Sequence, residues 1–484
     1  MKSQLVNLMV VLAATSCAID EAEVDETSTE QGLHVRSWVI WRNPNIPVCF
    51  DNGGTADERR WVQEAVRDTW EAASSVRFVN WNNCQWFNMG IRVRMSDSRG
   101  YASGLGMELN GVALGVNLDT HVRTDSCFLA SREDCVRATA IHEFGHALGF
   151  AHEQSRADTP DDCLDGQDFE SSGDQTVGAW DLNSVMNYCN PAWNNNGFLS
   201  TTDVIGVRQY YGKFGRWTDA RVFDPAFYRA ANPGAGISTN AETATVHWLA
   251  QGLPMSGLRG SRTFDVGFYL AQHADLRAAF GSKFHRTLAH YQDAGIFEGR
   301  RASREFDVRF YERIYPDVSR DHAAALDHFI YQGLPNEGRR GAREFDVLFY
   351  EIANADIAAA FGMNYTAAFD HWVTQGLPNE NRRGSTEVDV QYYMTKYLDV
   401  GTNRIGAIDH FIRTGLGLGR RASIEFDVAY YLANNADVLA AYGLDYAAAF
   451  DHWVAAGRAE GRLGAMPVLQ LPPRPPIFCR PGRC

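Results

Sequence analysis

The chain has 484 residues, 45% hydrophobic and 21% charged, the balance of a packed globular protein rather than a disordered one. At about 150 residues per domain it has room for about three. A formal net charge of −14 disfavours a nucleic-acid partner. Beyond the first 15 residues no apolar run approaches the ~20 that span a bilayer.

Residues 1–17 read as an export signal, with Lys2, a mostly apolar Leu5–Ala14, and the small residues Thr15 and Ser16. Ala14-Thr15-Ser16-Cys17 resembles a bacterial lipobox, so the expectation is either a lipid on Cys17, anchoring the protein to a membrane, or ordinary cleavage nearby. The chain is therefore expected to be exported, as a secreted protein or as an outer-membrane or cell-surface lipoprotein of a bacterium. Residues 18–34 read as an acidic tether or short pro-segment.

Eight cysteines remain after Cys17, and no C-x-x-C pair occurs, so disulfides are expected in an exported chain. The six between Cys49 and Cys189 allow 15 pairings, among which sequence does not choose. Proximity alone suggests Cys127 with Cys135 and Cys163 with Cys189.

Residues 35–215 form the first folded block. Trp38–Trp41 is a short apolar segment, followed by a stretch interrupted at Pro44 and Pro47. The spacing of Trp61, Val62, Val66 and Trp70 predicts a helix over Ala56–Ala73. Val76–Trp81 and Ile91–Met95 read as strands, and Gly111–Leu118 alternates with Val112, Leu114, Val116 and Leu118 on one face. Strands after a helix, then a long helix around His142, predict an α+β domain.

The string from His142 to His152, H-E-F-G-H-A-L-G-F-A-H, carries the chemistry. Positions four apart share a helix face, so His142 and His146 can offer imidazoles to one ion. Glu143, one residue round, reaches water on that ion without ligating it. Gly149 can take positive φ, end the helix and return His152 as a third ligand. Three neutral imidazoles and one open position describe a catalytic site for a single Zn2+, with a carboxylate to take a proton from the attacking water. Five fixed positions give a chance rate of order 10⁻⁴ for such a string.

With Met186 downstream, the string resembles the metzincin clan of zinc endopeptidases. Phe150–Asp158 is similar to the astacin signature, and Ser184-Val185-Met186-Asn187-Tyr188 resembles the astacin Met-turn. Leu199–Asp203 and Tyr210-Tyr211-Gly212 fit that family's domain end. The resemblance implies a metzincin-type catalytic domain of twisted sheet plus zinc helix. It implies Met186 as an apolar floor beneath zinc, and Tyr188 as a residue that ligates zinc or stabilises the oxyanion. Glu153 would pair with a new N-terminus after activation. The strand Gly111–Leu118 would form the upper rim of a cleft, where an extended protein or peptide substrate pairs antiparallel. The pro-segment has neither a Cys-switch nor an F-x-G-D motif, so latency by a zinc-capping side chain is not expected. The acidic run Asp158, Asp161, Asp162, Asp165 and Asp168 lacks EF-hand spacing and reads as a solvated loop.

Residues 217–465 repeat. Phe223-Asp224, Phe264-Asp265, Phe306-Asp307, Phe345-Asp346, Val388-Asp389 and Phe426-Asp427 are spaced by 41, 42, 39, 43 and 38 residues. Each start is followed by an aromatic pair such as Phe349-Tyr350, then by a His next to an aromatic residue, and by a Gly five residues after that His. A period near 40 and Ala-rich stretches such as Tyr446–Phe450 predict an all-α tandem-repeat region of six units. Histidines placed one per unit read as structural, each bonding neighbouring backbone beside a packed aromatic. The array resembles tandem repeats of exported bacterial proteins, which implies a surface or accessory role without naming a partner. Residues 466–484 read as an extended Pro/Arg-rich tail in which Cys479 and Cys484 close a small loop.

The expected function is a zinc-dependent endopeptidase that hydrolyses peptide bonds with a zinc-activated water. The rivals are a surface binding or adhesion protein working through its repeats, and a zinc hydrolase acting on cell-wall peptides.

Overall fold

The computed structural model describes residues 33–120, 127, 129, 131–164 and 172–466. The export signal, the lipobox at Cys17, the tether up to residue 32 and the tail from residue 467 lie outside the described residues. The fold starts inside the stretch expected to be a tether: strand β1 (Leu33–Val35) begins at a fully buried Leu33 and pairs antiparallel with β7 (Gln175–Val177).

A five-stranded sheet is ordered β3-β2-β4-β6-β5, from β2 (Asn45–Asn52), β3 (Arg77–Asn83), β4 (Ile91–Ser96), β5 (Tyr101–Ala102) and β6 (Val116–Asp119). All pairings are parallel except β5 on β6. Parallel neighbours need a crossover, and β2 reaches β3 through α1 (Ala56–Arg67) and α2 (Trp70–Ala73). Thr55 caps α1 in a reciprocal box with Glu58. The single helix expected over Ala56–Ala73 is thus two. Thr69 leaves helical geometry at φ −131°, ψ −86°, and its hydroxyl turns back to donate to Ala65 O.

The expected strand Gly111–Leu118 shrinks to Val116–Asp119. Residues 112–115 turn instead: Gly115 N–H donates to Val112 O, Leu114 takes φ +59°, and Val112 and Leu114 are exposed. Nor is this strand the edge of the sheet, because β5 covers its outer side and is itself the last strand.

Helix α3 (Arg132–Ala147) is capped by Ser131 and buried on every side from Cys135 onward. Two further helices and a turn also serve this block: α4 (Asp161–Leu164), α5 (Thr201–Tyr211) and the turn Arg216–Thr218. Indole Nε1 of Trp41 donates to Ala147 O, and the Tyr211 hydroxyl donates to Leu148 O, so the last carbonyls of α3 are satisfied from distant residues. Disulfides join Cys49 to Cys84, Cys127 to Cys135 and Cys163 to Cys189. The latter two are the pairs that proximity suggested.

From Pro225 to Gly457 the chain is largely helical. At six places among the described residues a buried Tyr hydroxyl hydrogen-bonds the Nδ1 of a later His: Tyr228–His247, Tyr269–His290, Tyr311–His328, Tyr350–His371, Tyr393–His410 and Tyr431–His452, at 2.7–3.1 Å. These histidines therefore bond a phenol, not neighbouring backbone. After each comes a five-residue π-turn ending on the Gly, as in Trp248–Gly252. A Cβ at any of those glycines would collide with the Tyr hydroxyl, which is why the position holds no side chain. No described helix is long and apolar enough to cross a membrane.

Candidate metal centre

Helix α3 presents His142 and His146 one turn apart, and both are buried. Gly149 at φ +95° then reverses the chain: its N–H donates to His146 O, and Phe150 N–H donates to Gly145 O, a Schellman ending. The returning segment is held by β1, where Ala151 N–H donates to His34 O, and it delivers His152. The Nε2 atoms of His142 and His152 lie 3.3 Å apart, those of His146 and His152 3.0 Å. All three ligand atoms fall within 4.8 Å of one another.

Each helical imidazole spends its other nitrogen on backbone. His142 Nδ1–H donates to Val185 O at 2.7 Å, and His146 Nδ1–H donates to Phe150 O at 2.8 Å. The Nε2 lone pairs are left facing one point, with no proton to soften their repulsion. Burial keeps the rings neutral, lowering His142 to about 3 and His146 to about 4, and taking His152 lower still with help from its two neighbours. Tetrahedral zinc at about 2.0–2.1 Å from its nitrogens sets them about 3.3–3.4 Å apart, so these residues fit the ion.

Glu143 is buried, and its Oε2 has no hydrogen-bond partner. Desolvation pushes its carboxyl up to about 8, against the opposing field of Arg99. Gly100 lets the loop before β5 pass over it, since a Cβ there would come 3.1 Å from Glu143 Oε1. Met186 is fully buried under the helix, and a Cβ at Gly145 would collide with its Sδ. The Tyr188 ring stacks on His142 at 4.9 Å and 17°, and lies 4.5 Å from His152.

Glu153 is fully buried, accepts from Asp181 N–H, and faces Arg156 at 3.4 Å, while burial raises it to about 8. Asp158 of the acidic run pairs with Arg156 at 2.7 Å, and Asp165 and Asp168 lie outside the described residues.

Two supporting residues escaped the sequence reading. Gln154 accepts the Tyr188 N–H at 3.1 Å. Asp203 accepts from Ser184 Oγ, Val185 N–H and Ser200 N–H, tying the Met-turn to the start of α5. A Ser-x-x-Asp capping box at Ser200–Asp203 was the available signal for that anchor.

Residues 34–220 match the family model for astacin, a family of peptidases. This stretch is an astacin domain. Astacin-family zinc metalloproteases use one catalytic Zn2+, and the His142–His146–His152 triad suits it. Among curated proteins, zinc metalloproteinase nas-2 of Caenorhabditis elegans is 24% identical over 192 residues, 37% of this chain and 64% of that protein. Zinc metalloproteinase dpy-31 of Teladorsagia circumcincta is 28% identical over 201 residues, 38% of this chain and 29% of that protein. The matched region thus spans less than two thirds of either relative. Among solved structures, myroilysin has a TM-score of 0.28 at 23% identity, covering 37% of this chain and 98% of that one. High choriolytic enzyme 1 of Oryzias latipes has a TM-score of 0.26 at 19% identity, covering 37% and 96%. The matches to the astacin domain leave the helical region beyond residue 220 without a counterpart in the family model.

Proposed function

We propose that this chain is an exported zinc-dependent endopeptidase. An export signal over residues 1–17 leads to a catalytic domain over 35–215 and six helical units over 217–465. The convergence of the three Nε2 atoms beside the buried Glu143, whose Oε2 has no hydrogen-bond partner, carries the reading. Zinc, when bound, supplies Lewis acidity and lowers the pKa of its water towards about 7.

The remaining work falls to this chain's side chains. Val185 O and Phe150 O hold the His142 and His146 rings in the tautomer that leaves Nε2 unprotonated. Glu143, buried beside the triad with Oε2 uncommitted, takes a proton from the attacking water as the carboxylate and returns it to the leaving amine. Tyr188, stacked on His142 and anchored by Gln154, donates its hydroxyl proton to the oxyanion that develops on the substrate carbonyl. An extended peptide adds to the open side of β5, the terminal strand of the sheet, directly after the loop that covers Glu143. The helical units serve as an accessory module.

The test is casein hydrolysis by the purified full chain beside Glu143→Gln, with zinc quantified in both. The expected loss is about 10²–10⁴-fold with about one zinc retained per chain. Equal activity in the variant, or a parent that binds no zinc, overturns the reading.

A further inference from the structure

Against α3, lined by no residue of the sheet, a pocket of about 230 Å³ lies between the astacin domain and the helical region. Ala138 and Ile141 of α3 form one wall, and Phe198, Trp217, Leu249 and His285 form others. Protein interiors leave few voids larger than a water, and an apolar cavity of about 150 Å³ already admits benzene. A space of this size is ring-sized or larger.

The charges around it are already engaged. Asp68 pairs with Arg67, Asp134 with Lys283, and Arg137 and Arg286 both with Glu133. A charged occupant would find no counter-ion, so the pocket suits an uncharged one. Two buried polar atoms of the lining do lack partners: indole Nε1 of Trp217 and Nδ1 of His285. An indole N–H only donates, whereas a neutral imidazole nitrogen takes either role according to tautomer. Burial holds the His285 ring neutral, at about 3. A hydroxyl both accepts and donates, so it suits either atom. The walls are aromatic as well, since the Phe198 ring stands edge-on to His285 at 5.4 Å and 87°.

We propose that this pocket binds a small uncharged aromatic molecule bearing a hydroxyl group, seated between the zinc helix and the helical region. The site is separate from the His triad and does not depend on the hydrolytic reading. Phenol is the probe, and toluene, with a methyl in place of the hydroxyl, is its control.

Calorimetric titration and thermal melting of the full chain are expected to give one phenol site, about tenfold tighter than toluene, with a raised Tm. His285→Phe keeps a ring of similar shape and is expected to bring phenol down to the toluene level without changing toluene. Ala65→Met, which fills the pocket from α1, is expected to abolish both while circular dichroism stays that of the parent. No binding of either probe at millimolar concentration overturns the proposal. So does phenol binding that is unchanged in both variants.

Discussion

Glu143 and Glu153 are carboxyls that burial raises to about the same value, and their surroundings separate them. Glu153 is held by a backbone N–H and an arginine, and its own N–H is spent on Met186 O, so it fastens the Met-turn. Oε2 lacks a hydrogen-bond partner in both, and Glu143 has no such ion pair among the described residues, so it can exchange a proton. Away from that site, His285 makes a prediction of its own. Its folded pKa, lowered to about 3 by burial, lies below the ordinary 6.5, so the unfolded chain binds the extra proton between these values. The stability associated with neutral His285 is complete above about 6.5 and is lost as pH falls towards about 3. Urea melts across that window should weaken steadily for the parent. The acid slope should be shallower for His285→Phe, and identical slopes would dismiss His285 as a source of acid sensitivity.

Among the elements, the turn that ends α3 carries the most. The ring at position 152 arrives only because Gly149 sits at φ +95°, where an L-residue is strained. Gly149→Ala should cost about 1–3 kcal/mol and release zinc to a chelator at lower concentration than the parent does. Chelator competition monitored by zinc content checks it, and unchanged retention would show that the turn does not set ligand geometry. The elements also mark where pattern reading stops. Gly149 was legible because a glycine three residues past a helical His has few other roles. The run Gly111–Leu118 was not, since alternation of small apolar residues suits a strand and an exposed turn alike. Only the Gly115–Val112 hydrogen bond and the pairing of β5 distinguish them. Likewise the break at Thr69 depends on one hydroxyl bonding Ala65 O, which helical spacing does not reveal.

Across the whole molecule a ladder of two-pronged ion pairs ties distant parts of the helical region: Arg221–Asp327, Arg262–Asp370, Arg304–Asp409 and Arg343–Asp451. Each arginine stands two residues before a Phe-Asp start, and each aspartate directly before one of the Tyr-bonded histidines. The ladder ends in the sequence where it ends in space. Thr386 and Ile424 replace the arginine where no later aspartate exists, and Val246 and Ala289 replace the aspartate where no earlier arginine exists. At that lower end the astacin domain takes over, through Arg208–Glu242, Lys283–Asp134 and Arg286–Glu133. Arg343 is buried and bridges both Asp451 and Asp307. Removing one member of such a pair strands a buried charge, so Arg343→Leu should cost about 3–5 kcal/mol. Arg343→Leu with Asp451→Leu should cost less than the sum of the two single changes. Strict additivity in denaturant melts of the four proteins would mean that the pair is not coupled.

The local sequence by itself determined the His142–His146–His152 string, the Gly149 turn, and the Tyr, His and Gly of each helical stretch, while the disulfide pairing needed the structure. The first three depend on helical periodicity or a sterically permitted φ, both of which act within a few residues or a few turns. Only the tertiary structure decided that Val185 and Phe150 orient the imidazoles, that Gln154 and Asp203 fix the Met-turn, that β5 and not β6 is the sheet edge, and which arginine meets which aspartate. Those partners lie up to 108 residues apart. A hydrogen bond or ion pair over that span has no periodic signature along the chain, because its geometry exists only once the intervening elements have packed.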